Sequence, residues 1–333
     1  MDLRPLVRLL ADGGFHSGHQ LASELGFTRA LVCQQIEILR QMGIEVHAVT
    51  GKGYRLPTLF DLMSRDAILE LLGELRSFWS VRFDLLFATE STNTDAMRRA
   101  QEGQEYYLVL AEHQSMGRGR RGKTWLSPLG GNIALTLAWT FASPAVALEG
   151  LSLAVATFVV EGLRSVGYGA NIGLKWPNDI LLNAAKLAGI LIEISGDVKG
   201  PSKVLIGIGI NVKIPSTSGP LIDQAYTDLA SNFEINASRD QIVAAIVASL
   251  TIGLRRFSIE GFAPFLDAWN ALDVYRDKQV DIVAGASRCS GVARGVNKMG
   301  ALILQTAEGS RLIAGGELSP SLRLAREAMG DDC

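Results

Sequence analysis

The densest group of chemically active side chains lies in residues 112–125, which read E-H-Q-S-M-G-R-G-R-R-G-K-T-W. Glycines alternate with cations there, at Gly117, Arg118, Gly119, Arg120, Arg121, Gly122 and Lys123. Glycine allows positive φ and a close approach of the backbone to a ligand, and guanidinium groups bind phosphate oxygens. No apolar helix follows, so neither a Walker loop nor a dinucleotide-binding fingerprint is predicted. We expect a phosphate-binding loop of another kind, with a solvated basic turn as the alternative.

Four further polar motifs lie on either side of this loop. They are E-S-T-N at residues 90–93, K-W-P-N-D at 175–179, K-L-A-G at 186–189 and G-I-G-I-N at 207–211. Together with the loop they resemble the biotin protein ligase family, specifically the bifunctional bacterial members that also repress the biotin operon. The resemblance extends through nearly the whole chain.

The resemblance implies a two-step reaction. Biotin and ATP would form biotinyl-5′-AMP and pyrophosphate, and a lysine of a biotin carboxyl carrier protein would then take the biotinyl group. Positioning and charge stabilisation can carry both steps, so no Ser-His-Asp or Cys-His nucleophile is required. The expected catalytic residues are Lys186 and Arg120. The expected biotin-binding residues are Ser91, Thr92, Asn93, Gln114, Arg118, Gly119, Arg120 and Lys186.

The resemblance also implies an ATP subsite. Its expected residues are Arg121, Trp125, Lys175, Asn178, Asp179, Asn211 and Tyr226. Mg²⁺ would accompany ATP near the amide and carboxylate oxygens, without a metal site made by the protein alone. The chain has Tyr226 where the family closes a loop over the nucleotide with tryptophan, and Thr124 where the family often carries another basic residue.

Each motif also has a plainer explanation. Ser91 and its neighbours could simply cap a helix, since serine, threonine and asparagine are common there. Lys186 follows a predicted turn at residues 183–185, where a lysine is usually exposed. Trp125, which could stack on the purine, could instead be a core anchor.

The elements that must position these residues form a mixed sheet. Strands are predicted at 83–87, 107–111, 132–139, 180–182, 189–194 and 204–209, and helices at 66–72, 94–101, 148–166 and 239–257. Hairpin-like pairs such as 180–194 favour a mixed α+β arrangement over a parallel doubly wound sheet. Residues 215–220 are rich in proline, serine and glycine and are predicted to form a mobile loop.

The N-terminal residues predict a DNA-binding module. Three short helices with helix-turn-helix spacing are followed by a hairpin wing with Gly51-Lys-Gly53 at its tip. The expected DNA-binding residues are Arg29, Gln34, Gln35 and Lys52. Residues 1–57 carry a net charge of only +1, from six arginines or lysines against five carboxylates, so a plain three-helix unit is the alternative. The resemblance implies a two-fold dimer that reads two half-sites of operator DNA, with dimerisation linked to the ligand.

The C-terminal residues change to short strands separated by glycines. Strands are predicted at 279–283, 287–296, 302–305 and 312–314. They resemble the SH3-like barrel that closes the family's chains, where a motif like Gly315-Gly-Glu317 completes the nucleotide and acceptor side of the site. A plain turn is the alternative for that motif. The tail from residue 326 is expected to be frayed.

Composition sets the remaining expectations. The 333 residues allow two or three domains, and the net charge of −2 gives no global attraction to nucleic acid. Three widely spaced cysteines argue against a disulfide framework or a zinc site. The N-terminus lacks a signal-peptide pattern, and the apolar run at 242–254 is short for a bilayer, so a cytoplasmic protein without a membrane partner is expected.

We therefore predict an α+β multidomain chain. It has a winged helix-turn-helix domain at residues 1–57, a biotin- and ATP-binding domain with a mixed α/β sheet at 64–268 and an SH3-like small β-barrel at 272–323. Two other functions remain open. A lipoate ligase would explain the Lys186 region but not the glycine-arginine loop with an attached DNA-binding module. A ligand-gated regulator would bind biotin or an adenylate without catalysis.

Overall fold

The computed structural model describes residues 2–57, 62–196, 200–215, 222, 224–235, 237–284, 287–314 and 321–324. Residues 216–220 of the predicted loop, the Gly315-Gly-Glu317 motif and the tail from residue 326 lie outside these ranges.

The N-terminal module has three helices and a two-stranded hairpin, as predicted. Its elements are α1 (Arg4–Leu10), α2 (Gly18–Leu25), α3 (Arg29–Gln41), β1 (His47–Val49) and β2 (Gly53–Arg55). Ser17 caps α2 and Thr28 caps α3, each through a side-chain oxygen that accepts a backbone N–H. Gly26 ends α2 in the left-handed conformation, with φ 67°. Local capping chemistry therefore sets the spacing of the two helices.

This module also packs against the central sheet. Leu129, which follows the glycine-arginine loop, joins its hydrophobic core, and Phe87 of the central sheet contacts that core. The guanidinium of Arg4 donates a 2.7 Å hydrogen bond to the carbonyl of Leu85. The helical module therefore lies directly beside the strand that leads to the predicted biotin-binding residues.

The central sheet has seven strands. They are β3 (Phe83–Thr89), β4 (Tyr106–Gln114), β5 (Asn132–Phe141), β6 (Ile172–Lys175), β7 (Asp179–Leu182), β8 (Ala185–Gly196) and β9 (Ser202–Asn211). Their order is β3-β4-β5-β9-β8-β7-β6, with β3 and β4 parallel and every other pair antiparallel. The predicted mixed sheet is confirmed, although the four-residue strand β6 was not predicted.

Helices cover both faces of this sheet. They are α4 (Arg65–Leu71), α5 (Arg76–Trp79), α6 (Thr92–Gln101), α7 (Leu151–Ser165), α8 (Arg239–Glu260) and α9 (Leu266–Leu272). Helix α6 packs on one face through Ala96 and Ala100, whereas α7 and α8 join the large core on the other. Within the described ranges, α8 is the one helix long and apolar enough to cross a membrane. Its residues Ile242, Ile246 and Leu250 are fully buried in the core, so here it is a core helix.

The C-terminal residues form a five-stranded antiparallel sheet. Its strands are β10 (Gln279–Ala284), β11 (Ser287–Val296), β12 (Leu302–Thr306), β13 (Gly309–Ile313) and β14 (Ser321–Leu324), in the order β13-β12-β11-β10-β14. Strand β14 was not predicted as a separate strand. It pairs with β10, from which it is distant in sequence, so only the fold brings the two together.

A half-buried carboxylate marks the connection between the central and C-terminal sheets. Asp273 forms a parallel bridge with Leu174 of β6, and one of its carboxylate oxygens accepts a 2.9 Å hydrogen bond from the Tyr275 N–H. The other oxygen is buried and has no hydrogen-bond partner among the described residues. Burial raises the pKa of Asp273 from 3.8 to about 6, although Arg276 and Lys278 oppose the shift.

This raised pKa predicts a pH-dependent cost in stability. The folded state binds the Asp273 proton more tightly than the unfolded state does. Proton binding therefore stabilises the folded state at low pH, and this stabilisation is lost as the pH rises through about 6. Asp273→Asn keeps an oxygen for Tyr275 without the charge. We expect the variant to be more stable than the parent by about 1 to 3 kcal/mol at pH 8 and by roughly half as much at pH 5. Urea unfolding at both pH values measures this. An equal difference at the two pH values would contradict it.

Candidate active site

The predicted site residues surround one open cleft beside the ends of β3 and β4. The cleft has about 470 Å³ of empty space, including its open mouth. Its lining includes every predicted biotin-binding residue, namely Ser91, Thr92, Asn93, Gln114, Arg118, Gly119, Arg120 and Lys186. Trp125 and Asn178 line it as well. Motifs separated by about 100 residues of chain therefore meet in one place.

The first wall of the cleft is the N-terminus of α6. Ser91, Thr92 and Asn93 are all buried, and Ser91 makes no side-chain capping hydrogen bond. The alternative in which Ser91 merely caps the helix is therefore wrong. The Thr92 N–H instead donates a 2.8 Å hydrogen bond to the Gln114 side-chain oxygen, which brings α6 and the end of β4 together.

Two residues that sequence reasoning missed extend this polar wall. The Thr136 hydroxyl on β5 lies 2.8 Å from the Thr92 hydroxyl and 2.6 Å from the Asn93 side-chain oxygen. Glu193 on β8 accepts a 2.7 Å hydrogen bond from the Asn93 side-chain nitrogen. Both are lone polar residues within apolar strand segments, and this is the sequence signal that could have identified them.

Two glycines of β9 make room for larger side chains in the cleft. A Cβ atom at Gly207 would lie 2.4 Å from the Asn93 side-chain oxygen, and one at Gly209 would lie 2.3 Å from the Trp125 ring. Contacts this short do not occur, so any side chain at either position would displace its neighbour. The G-I-G spacing at residues 207–209 therefore creates space for Asn93 and Trp125.

The start of the glycine-arginine loop is anchored by buried polar contacts. Glu112 forms a 2.7 Å ion pair with Arg239 of α8 and also accepts a hydrogen bond from the Met63 N–H. His113 Nδ1 lies 2.7 Å from the Ser127 carbonyl oxygen, and burial lowers the pKa of the imidazole. These contacts hold both ends of the loop against the sheet.

The loop itself folds back as a short hairpin. The Trp125 N–H donates to the Gly117 carbonyl at 2.8 Å, and the Gly119 N–H donates to the Lys123 carbonyl at 2.7 Å. Residues 117–124 fit the letters G-x-x-x-x-G-K-[ST], but no helix begins after them, so the geometry of a P-loop is absent.

The glycines of the loop have different roles. Gly122 has positive φ, at 70°, and so does its neighbour Arg121, at 61°. Gly117 and Gly119 do not have positive φ. Gly117 serves close approach instead, because a Cβ atom there would lie 2.4 Å from the Trp125 carbonyl oxygen.

Arg120 extends from this loop into the cleft. Its guanidinium donates a 3.1 Å hydrogen bond to the Asn178 side-chain oxygen. Burial lowers the pKa of Arg120, and the nearby carboxylate of Asp179 opposes the shift. Because an arginine stays protonated in proteins, the loop places a partly desolvated positive charge in the cleft. Arg121 and Lys123 are exposed and lie outside the cleft lining.

Lys186 supplies a second positive charge. Its ammonium lies 2.8 Å from the Asp179 carboxylate and 5.8 Å from the centre of the Trp125 ring. Its side chain is only 18% exposed, so the alternative of a solvated lysine in a turn is wrong. The turn falls at Asn183 and Ala184, which have φ of 50° and 63°. Lys186 follows the turn and belongs to β8, which directs its side chain into the cleft.

Trp125 forms part of the cleft wall rather than a core anchor. Its ring lies against Gly209 and close to Gly189, and the side chain is partly exposed. The indole N–H is buried and has no hydrogen-bond partner among the described residues. An aromatic face therefore lies next to the Lys186 ammonium, as a base-stacking role would need.

The remaining residues predicted to bind ATP lie around this cleft rather than in its lining. The Asn211 side-chain nitrogen donates to the backbone carbonyls of Thr227 and Lys186, at 3.0 and 3.4 Å, so Asn211 braces the strand that carries Lys186. Tyr226 pairs with Lys186 through a backbone bridge. The ammonium of Lys175 lies 5.7 Å from the centre of the Tyr275 ring. Tyr275 was not among the predicted site residues.

Asp179 and Asn178 are the oxygen groups that could face a metal ion. Asp179 is already paired with Lys186, and the Asn178 oxygen accepts from Arg120. No group of three His, Cys, Asp or Glu side chains suited to a metal occurs in the described part of the chain. These donors fit Mg²⁺ that keeps most of its water and arrives with phosphate oxygens, rather than an ion held by the protein alone.

Comparison with known proteins identifies the family. The model of the biotin/lipoate A/B protein ligase family matches residues 86–211, and an HTH domain model matches residues 3–55. The bifunctional ligase/repressor BirA of Escherichia coli is 36% identical over 314 residues, which cover 94% of this chain and 95% of that protein. This chain belongs to the bifunctional biotin ligase/repressor family.

Further relatives match over different shares of the chain. BirA of Bacillus subtilis is 31% identical, with 95% of this chain and 97% of that protein covered. The solved structure of the biotin protein ligase from Aquifex aeolicus in complex with biotin and ATP aligns with a TM-score of 0.61 and 25% identity. That alignment covers 73% of this chain and 99% of the Aquifex chain.

The N-terminal HTH domain of this family member exposes most of the predicted DNA-binding residues. Arg29, Gln34 and Lys52 are exposed. Gln35 is only 1% exposed, so its predicted outward position is wrong. The reason is helical geometry, because Gln35 lies three residues after Val32 and four before Leu39, on the face that packs into the core.

Proposed function

We propose that the protein is an ATP-dependent biotin ligase. It forms biotinyl-5′-AMP and transfers the biotinyl group to a lysine of a biotin carboxyl carrier protein. The observation that carries this proposal is the meeting of a buried, neutral hydrogen-bonding wall with the two cations Arg120 and Lys186 in one cleft. The solved Aquifex ligase, whose fold this chain shares, is in complex with biotin and ATP.

The neutral wall suits the ureido ring of biotin. Thr92, Asn93 and Gln114 offer hydroxyl and amide groups, which can both donate and accept hydrogen bonds. Because these groups carry no charge, they can match an uncharged cyclic urea without a large desolvation cost. Ser91 completes this wall.

The cations suit the first reaction step. A carboxylate oxygen of biotin attacks the α-phosphorus of ATP, the bond to the bridging oxygen breaks, and pyrophosphate leaves. Lys186 would contact both the carboxylate and the α-phosphate, which offsets the repulsion between two anions brought together. Arg120 would hold the phosphate side through charge-assisted hydrogen bonds.

In the second step, the amine of the carrier lysine attacks the acyl carbon and AMP leaves. Trp125 would stack on the purine, with Arg121, Lys175 and Tyr226 farther along the nucleotide. Mg²⁺ on the phosphates would neutralise their charge, with Asp179 and Asn178 as the nearest protein oxygens; Asn211 contributes by bracing the backbone of Lys186.

Biotin-dependent exchange of radiolabelled pyrophosphate into ATP tests this proposal. A biotin ligase exchanges label only when biotin is present. A lipoate ligase would respond to lipoate and ignore biotin, and a ligand-gated regulator without catalysis would show no exchange with either. Absence of exchange with biotin would therefore refute the ligase assignment.

We further propose that the protein represses transcription as a cytoplasmic, ligand-linked homodimer. Arg29 and Gln34 would reach base edges and Lys52 the phosphates of operator DNA. The domains would span residues 1–57, 64–268 and 272–323, with the last closing as an SH3-like barrel. One module with a net charge of +1 binds DNA weakly, so two half-sites would be needed.

The proposed link between ligand and dimerisation predicts that the mass of the protein in solution increases when the ligand forms. Because the helical module packs beside β3, which leads into the cleft, ligand formation should favour one arrangement of the module and hence the dimer. We expect sedimentation to show a larger dimer fraction with biotin and ATP together than with biotin or ATP alone. An unchanged monomer in all samples would remove this linkage but not the ligase activity.

A further inference from the structure

A carboxylate that neither motif nor resemblance singled out joins two parts of the cleft. The same oxygen of Glu193, on β8, accepts hydrogen bonds from the Asn93 side-chain nitrogen at 2.7 Å and from the Arg118 guanidinium at 3.3 Å. Asn93 belongs to the neutral wall, whereas Arg118 belongs to the glycine-arginine loop. Glu193 therefore connects the loop to the wall.

The contact with Asn93 determines how that amide is oriented. The Asn93 oxygen lies 2.6 Å from the Thr136 hydroxyl while its nitrogen donates to Glu193. A flipped amide would place its oxygen against the Glu193 carboxylate, which accepts hydrogen bonds but cannot donate one, so the flip would lose that bond. Glu193 and Thr136 thereby present Asn93 to the cleft in a single orientation.

The two bonds to Glu193 differ in strength. Arg118 is 47% exposed and Glu193 is 36% exposed, so solvent screens their ion pair, which is worth only a few-fold in binding. Asn93 is 4% exposed, and its hydrogen bond to a charged oxygen is both short and shielded. Loss of the hydrogen bond between Asn93 and Glu193 should therefore have a larger effect on binding than loss of the ion pair with Arg118.

We propose that Glu193 is a positioning residue for biotin activation, which orients the Asn93 amide and holds the glycine-arginine loop against the cleft through Arg118. This role rests on the proposed ligase function. It predicts that biotin recognition and retention of the adenylate depend on one carboxylate, and that two substitutions can separate these effects.

Glu193→Gln keeps an oxygen that can accept from Asn93 but removes the charge opposite Arg118. We expect release of biotinyl-5′-AMP to rise about three- to fivefold, while the KM for biotin in pyrophosphate exchange stays within about twofold. Glu193→Ala removes the acceptor as well. We expect its KM for biotin to rise about tenfold or more, with a smaller change in the KM for ATP.

A ligand-free measurement keeps this assignment separate from the proposed function. Hydrogen exchange at the loop amides of Gly119 and Trp125, whose N–H groups close the loop hairpin, should be faster in both variants than in the parent. The matched control is Glu161→Gln, which alters a surface carboxylate bonded to Ser249 on neighbouring helices. It should change neither loop exchange nor the KM for biotin.

The outcomes are distinct. If the parent protein makes no adenylate, the ligase proposal fails, and loop exchange alone decides the role of Glu193. Unaltered loop exchange in both variants would overturn the proposal. A loss of thermal stability in Glu193→Ala with an unchanged KM for biotin would likewise overturn it, because Glu193 would then act only in folding.

Discussion

Lys186→Ala is expected to lower biotin-dependent pyrophosphate exchange by about 10²- to 10³-fold, the usual effect of removing one preorganised charge-stabilising group. The variant loses the cation that the biotin carboxylate and the α-phosphate would share. Pyrophosphate exchange at saturating biotin and ATP measures the loss. Near-normal exchange by a folded variant would show that the proposed role of Lys186 is wrong.

The structure adds a control that this experiment needs. Lys186 lies in a strand, mostly buried and paired with Asp179, so its truncation leaves a carboxylate without its partner. Lys186→Met removes the ammonium but keeps an unbranched side chain that is one atom shorter. The double variant Lys186→Met/Asp179→Asn also removes the unpaired charge of the carboxylate. If the double variant recovered activity, the loss would come from the charge of Asp179. We expect it to stay inactive, because the shared cation is still missing.

Arg120→Gly is expected to make the adenylate but to release it prematurely. A mixed anhydride of biotin and AMP reacts with any amine, so released intermediate would label lysines of unrelated proteins. Losing one charge-assisted hydrogen bond costs about 1.5 to 3 kcal/mol, which corresponds to about a tenfold or greater increase in release. Incubation with biotin, ATP and a lysine-rich bystander protein, followed by a biotin blot, measures the leak.

Two variants separate the effect of the charge from that of added glycine flexibility. Arg120→Met removes the charge but not the side chain, and should leak as well. Lys123→Gly adds a glycine to the same loop at an exposed position outside the cleft lining. This variant should not release the adenylate prematurely. If Arg120→Gly labelled only the carrier and released adenylate at the parental rate, Arg120 would not be the residue that retains it.

Much of the fold follows from local sequence signals. Ser17, Thr28 and Ser64 cap helices at the predicted positions, because capping needs only a hydroxyl and the next turn of backbone. The strands with strong apolar runs were predicted to within a few residues. Strands β6 and β14 were missed. Each has only four residues, and β14 pairs with β10, which is distant in sequence.

The candidate site was predictable to a similar degree. The motifs identified the residues of the cleft lining, but local chemistry alone left Ser91 and Lys186 ambiguous between ordinary structural roles and ligand contacts. The structure excludes the ordinary roles, because the Ser91 side chain makes no capping hydrogen bond and Lys186 is paired inside the cleft. The ligand contacts of both residues stay predictions. Gln35 shows the opposite case, in which a polar side chain expected to face DNA lies on the packed face of α3.

The sequence by itself determined the helix-turn-helix, the mixed sheet and the chemical character of the loop, because capping, periodicity and residue type act over a few neighbouring positions. Only the tertiary structure decided which polar groups meet. Asn93 and Glu193 are 100 residues apart in sequence and are joined by one hydrogen bond. Thr92 and Thr136, which are 44 residues apart, are also joined by one hydrogen bond. Such contacts depend on strand order and register, which the packing of the whole sheet sets, so no local pattern contains them.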